Sequence, residues 1–137
     1  MNTTEPTRTW KYEYTHIRIV DGDTTVGDID QGMNVWSRSQ YIRFAGINAP
    51  ERETPEGQQA KQYQQAKQYL ATLMSEGQLF YIVTNEYHEF EKYGRVLAYL
   101  YTDPSLINRD NLLEGSINQQ MLDSGNAKPY SGEGPKP

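Results

Sequence analysis

The chain has 137 residues, 36% of them hydrophobic, and a formal net charge of −5, which suits a single domain with a modest core under a very polar surface. The absence of cysteine excludes disulfides and thiolate metal sites, two histidines are too few for a histidine zinc centre, and no apolar run nears the roughly 18–20 residues of a membrane span. With 18 acidic against 13 basic residues, tight non-specific nucleic-acid binding is disfavoured, since that needs many cations at phosphates. A local grip on one or two phosphates remains open. Met1 to Trp10 carries no basic-then-apolar signal pattern, so a cytoplasmic chain is expected.

Residues 1–9 are polar and expected to fray, residues 10–130 to form one domain, and residues 131–137 to be a flexible tail. From Trp10 to Val20, aromatic and β-branched residues alternate with polar ones, as in a half-buried strand. Asp21-Gly22-Asp23 reads as a turn, Thr24 to Asp30 as a second strand, and Gln31 to Asn34 as a break. Trp36 to Ile47 is predicted as one continuous third strand. Alternation puts Tyr41, Arg43 and Ala45 on one face and Ile42, Phe44 and Gly46 on the other. Thr54-Pro55-Glu56 has the signature of a helix start, and the helix is expected to run to about Ser75 and stop at Gly77. Its apolar stripe is Tyr63, Ala66, Leu70, Leu73 and Met74. Leu79 to Thr84 and Val96 to Tyr101 are two further strands. A polar connection follows from Thr102 to Gly115, then a short helix from Ile117 to Ser124 closed by Gly125. Pro129 onward is Pro/Gly-rich and expected to be mobile. Five short strands, with a helix after the third and a short one after the fifth, fit a small closed β-barrel, the OB-fold.

Three stretches carry chemistry. Asp21, Asp23, Asp28 and Asp30 crowd into ten residues. They read either as a solvated acidic hairpin or as oxygen ligands for a hard cation such as Ca²⁺ or Mg²⁺. In the second reading Asp23 is the better-placed ligand and Asp21 an outer partner. Arg43 is either an ordinary outward cation or a phosphate ligand. Glu51 follows a proline-fixed turn that can return its carboxylate beside Arg43's strand, or else caps the helix or pairs with Arg52. Arg95, after Lys92-Tyr93-Gly94, either lays its stem along the barrel rim or adds a second guanidinium fork, whose planar donors match phosphate oxygens. A carboxylate for a cation, two arginines and a glutamate are the minimum equipment for metal-assisted phosphodiester hydrolysis.

In order and spacing, these motifs resemble the staphylococcal nuclease (thermonuclease) family. The carrying residues are Asp21-Gly22-Asp23-Thr24, the segment from Arg43 to Glu51 ending in Asn48-Ala49-Pro50-Glu51, Tyr93-Gly94-Arg95, and Ile117-Asn118 with Gly125-Asn126-Ala127 around the small helix. The resemblance spans roughly residues 10–130. It implies an OB-fold, a Ca²⁺ cofactor and endonuclease cleavage of DNA or RNA by a monomer. Arg43 and Arg95 would then clamp the phosphate, Glu51 would be the general base, and Asp23 a calcium ligand. Ala49 would contribute its backbone carbonyl, and Lys92, Tyr93 and Tyr130 would contact the nucleotide. At position 48 the chain departs from the family, with Asn48 in place of an aspartate. Loss of that charge weakens the expected affinity for Ca²⁺ or Mg²⁺. The overall acidity is a second departure and the long Thr102–Gly115 link a third. The competing expectation is an OB-fold module that binds nucleic acid or protein and has lost catalysis through Asn48.

Overall fold

The structure, a computed structural model, describes residues 9–50, 58–85 and 95–130. The strands are β1 (Thr9–Asp21), β2 (Thr24–Asp30), β3 (Trp36–Phe44), β4 (Ile47–Asn48), β5 (Leu79–Asn85), β6 (Val96–Tyr101) and β7 (Lys128–Pro129). The helices are α1 (Gln58–Leu73), between β4 and β5, and α2 (Ile117–Asp123), between β6 and β7.

Five strands close a barrel in the order β1-β2-β3-β6-β5, with α1 after the third barrel strand and α2 after the fifth, as the sequence pattern predicts. Closure depends on β1, which is long enough to pair with β5 through Thr9–Thr15 and with β2 through Glu13–Asp21. Irregularities between His16 and Arg18 and between Ile19 and Asp21 supply the bending that a strand shared by two sides of a barrel requires. Among the described strands only the β3–β6 pair is parallel, so it needs the long crossover that α1 and β5 provide.

Tyr14, Ile42, Phe44, Phe80, Ile82, Ala98 and Leu100 fill the barrel. Gly27, paired with His16, has to be glycine because a Cβ there would run into the Tyr14 ring and the Thr15 carbonyl. The apolar stripe of α1 is as read from its spacing: Tyr63, Ala66, Leu70 and Met74 are buried, and Leu73 packs against them partly exposed. A fully buried leucine such as Leu70 contributes about 2 kcal/mol. Helix α2 is capped by Ser116, whose Oγ accepts from Gln119 N at 3.0 Å, and it adds Ile117 and Met121 to the core.

Three expectations need correction. The third strand does not run through to Ile47. It stops at Phe44, and a turn at Ala45–Gly46 (Gly46 φ 81°) leads into the separate two-residue β4. Pro129 is not loose, since β7 pairs antiparallel with β4. Thr9 already belongs to β1, opposite Asn85. The predicted helix start at Thr54-Pro55-Glu56 lies outside the described residues.

Candidate functional site

The site is built where the β1–β2 turn meets the β3–β4 corner. Gly22 has to be glycine because a Cβ at that position would lie 2.8 Å from the Ala66 Cβ and 2.9 Å from the Ala49 Cβ. The turn is thus wedged between α1 and the β4 exit. The next residue, Asp23, is tied to the corner twice. Its carbonyl accepts from Phe44 N at 2.8 Å, and its carboxylate Oδ2 accepts from Ala49 N at 2.8 Å. Oδ1 accepts from the Thr24 hydroxyl at 3.0 Å.

Arg43, opposite Thr24 in the β2–β3 ladder, lies on the face away from the barrel interior but is covered, with only 7% of its surface exposed. Its ordinary outward reading therefore fails. Nη1 donates to the Phe44 carbonyl at 2.8 Å and stands 3.5 Å from Asp23 Oδ2. Nη2 donates to Asn48 Oδ1 at 3.3 Å. A buried guanidinium is tolerated only when charge and hydrogen-bond acceptors surround it, and Asp23, Asn48 and the Phe44 carbonyl meet that need. Four residues singled out from sequence (Asp23, Arg43, Asn48 and Ala49) thus form one connected cluster.

The corner is braced from behind. Asn118, fully buried at the start of α2, donates to the Ala45 and Ala98 carbonyls at 2.8 and 3.2 Å and accepts from Leu100 N at 3.1 Å. Ala45 N donates to Ala98 O at 2.9 Å, and Tyr130 N donates to Gly46 O at 2.9 Å, which brings Tyr130 to the same corner. A Cβ on Gly46 would stand 3.8 Å from both Leu113 Cδ1 and the Tyr99 hydroxyl, so the Thr102–Gly115 link packs here instead of looping out.

Arg95 directly precedes the Ile42–Val96 pair. Val96 faces the core, so alternation puts Arg95 on the outer face, the side of Arg43. Glu51, Lys92 and Tyr93 lie outside the described residues. Asp28 and Asp30 stand apart from Asp23. Asp28 accepts from Ser39 N at 2.8 Å and pairs with Arg38 at 3.2 Å, while Asp30 accepts from Gly32 N at 2.8 Å. Both hold the β2–β3 connection, so the four-carboxylate cluster of the sequence divides into one site residue and two turn residues beyond Asp21.

The donor chemistry around Asp23 suits a hard cation. A carboxylate, the Asn48 amide oxygen and the Ala49 carbonyl are all oxygens. The charge count is low, with a single carboxylate that Arg43 already faces, and among the described residues no group of three acidic or histidine side chains converges. Asp23, Asn48 and Ala49 are the described residues whose oxygens could hold such a cation, and Arg43 already engages the Asn48 oxygen and faces the Asp23 carboxylate.

Sequence reasoning missed Asn118 as the polar hub behind the corner, and it missed the outer-face pair Arg18–Tyr41. Alternation already put Tyr41 on the Arg43 face. Nothing in the spacing could join it to Arg18 two strands away. The family model described as staphylococcal nuclease homologue matches residues 41–136, more than half of the chain. That span includes Arg43, Asn48, Ala49 and Arg95 but begins after Asp23. No curated protein matches the chain.

Proposed function

Since the chain belongs to the staphylococcal nuclease homologue family, we propose that it is a metal-dependent nuclease hydrolysing phosphodiester bonds of DNA or RNA. The observation that carries this reading is the buried cluster of Asp23, Arg43, Asn48 and Ala49, which couples a carboxylate to a guanidinium through contacts of 2.8 to 3.5 Å.

In this reading Arg43 and Arg95 hold the phosphate. Glu51 accepts a proton from the water that attacks phosphorus as the bond to the leaving oxygen breaks. The two guanidinium groups stabilise the additional charge of the five-coordinate state, so their loss lowers turnover more than binding. Asp23, Asn48 Oδ1 and the Ala49 carbonyl would hold Ca²⁺ or Mg²⁺, which when bound supplies Lewis-acid polarisation of a phosphate oxygen and acidifies water. A glutamate has a usual pKa of about 4.3 and is a weak base near neutrality, so positioning and acidified water matter more than basicity. Lys92, Tyr93 and Tyr130 contact the nucleotide.

Two observations favour a second reading, a binding module without useful catalysis: Arg43 already has three protein acceptors around it, and one of the cation's oxygen donors would be the Asn48 side-chain amide. Digestion of plasmid and single-stranded DNA or RNA with Ca²⁺, Mg²⁺ or EDTA separates the two. Metal-dependent cutting that disappears in Glu51→Gln and Arg95→Ala supports the nuclease. Binding without cutting, unchanged by Glu51→Gln, supports the module.

A further inference from the structure

The outer face of the barrel continues beyond Arg43. Tyr41 lies two residues back along β3, on the same face and about 6.6 Å away along the strand. The residue is 44% exposed. Arg18 on β1 and Tyr41 on β3 are both in register with Val26 of β2, so the three form one row across the sheet. Val26, at 3% exposure, is covered. The Arg18 guanidinium carbon sits 5.7 Å from the Tyr41 ring centroid, and Arg18 Nη2 donates to the Tyr41 hydroxyl at 3.2 Å. Among the described residues Arg18 has no carboxylate partner, unlike Arg38 and Arg43. Arg18 thus sets a cation beside an exposed aromatic residue on the outer face that Arg43 shares, on a chain whose net charge is −5.

Lying beside Val26 in the ladder accounts for an aromatic residue at position 41, but not for its being nearly half exposed next to an arginine that has no carboxylate partner among the described residues. An aromatic face with a neighbouring guanidinium is the platform on which unpaired bases stack. A base is linked through its sugar to the phosphate, so a base adjoining the phosphate at Arg43 falls within reach of the next same-face position on the strand. We propose that Tyr41, held by Arg18, is a stacking subsite for an unpaired base next to the phosphate bound at Arg43, and that it biases the protein toward single-stranded nucleic acid. In a duplex both faces of each base are already stacked, and withdrawing one costs free energy. The proposal rests on the phosphodiester reading for the position of the phosphate.

The test measures binding by fluorescence anisotropy in the full chain carrying Glu51→Gln, so that nothing is cut. The probes are a labelled single-stranded oligonucleotide, the same strand with abasic sites, and a duplex. Tyr41→Ala is expected to weaken binding of the single strand by about tenfold or more. It should leave the abasic strand and the duplex within twofold, and Tyr41→Phe should bind like the parent. Equal melting temperatures for the three proteins show that an exposed position was changed without loss of fold. A single-strand affinity within twofold of the parent in Tyr41→Ala, or an equal loss on all three probes, overturns the subsite. Cleavage by the unmutated chain is scored separately. Cutting with no Tyr41 effect removes the subsite and leaves the nuclease standing. Base-dependent binding through Tyr41 without cutting removes the nuclease and leaves the subsite.

Discussion

Removing the negative charge of Asp23 should be among the more damaging single changes to the fold, apart from any effect on chemistry. In Asp23→Asn the shape persists, but Ala49 N exchanges a charged acceptor for a neutral one, worth about 1 kcal/mol. The larger cost falls on Arg43, which is left 7% exposed without the carboxylate 3.5 Å from Nη1. Leaving a buried charge without its partner costs about 3 kcal/mol. The sum, about 4 kcal/mol, corresponds to a melting temperature lower by roughly 15 °C for a domain of this size. Arg43→Met removes the other partner. Asp23 then keeps Ala49 N and the Thr24 hydroxyl, so the cost is smaller, about 2 kcal/mol. The double variant, with neither charge to bury, should fall short of the summed single losses by about 2 kcal/mol. Urea unfolding followed by circular dichroism at constant pH gives all four free energies. Additivity within about 0.5 kcal/mol would refute the view that these two charges hold the turn and the corner together.

Three other outcomes follow from the same geometry. Asn48→Asp restores a second carboxylate beside Asp23 and should lower the metal concentration for half-maximal cleavage, or for half-maximal metal-induced stabilisation, by about fivefold or more; an unchanged midpoint rejects the assignment of position 48. Gly22→Ala inserts a methyl group 2.8 Å from Ala66 Cβ and should cost about 1–3 kcal/mol, read as a lower melting temperature, which a compensating Ala66→Gly should partly restore. His16 is buried beside Phe80 and within 3.2 Å of the Tyr14 hydroxyl. Burial lowers its pKa below the ordinary 6.5, and Glu76 only partly opposes this. The unfolded chain therefore takes up a proton that the folded one resists. Stability is fully present above 6.5 and declines as pH falls below it, with a limiting slope of about 1.4 kcal/mol per pH unit from this group. His16→Gln should flatten that decline between pH 7 and 5.

Much of the barrel was legible because period-two patterning and turn residues act locally. β2 and β6 have the bounds read from sequence, and α1 buries four of the five residues that its spacing selected, Leu73 being partly exposed. The break at Ala45–Gly46 was not legible, because Phe44, Ala45 and Ile47 look like uninterrupted strand. Only the left-handed Gly46 and the Asn118 side chain reaching the Ala45 carbonyl from far along the chain make the corner. The site was legible as a set of residue types at given intervals, and the structure brings Asp23, Arg43, Asn48 and Ala49 into contact. That Arg43 would be buried was not legible, since alternation gives a side chain's direction and not what covers it. For Asp28 and Asp30 the choice between hairpin and ligand was not legible for the same reason, and the structure gives the hairpin. Their charge is visible in sequence, whereas their use in holding a turn depends on backbone amides at Ser39 and Gly32.

The pairing of β4 with β7 has a consequence during synthesis. Ile47 and Asn48 find their ladder partners in Pro129 and Lys128, about eighty residues later, and Gly46 waits for the amide of Tyr130. At bacterial or eukaryotic elongation rates that interval is on the order of ten seconds, during which the growing chain lacks the strand that locks the corner bearing Asn48. A released chain truncated before residue 128 keeps all five barrel strands but lacks β7, so the truncation should loosen the corner at Asn48 before it loosens Tyr14.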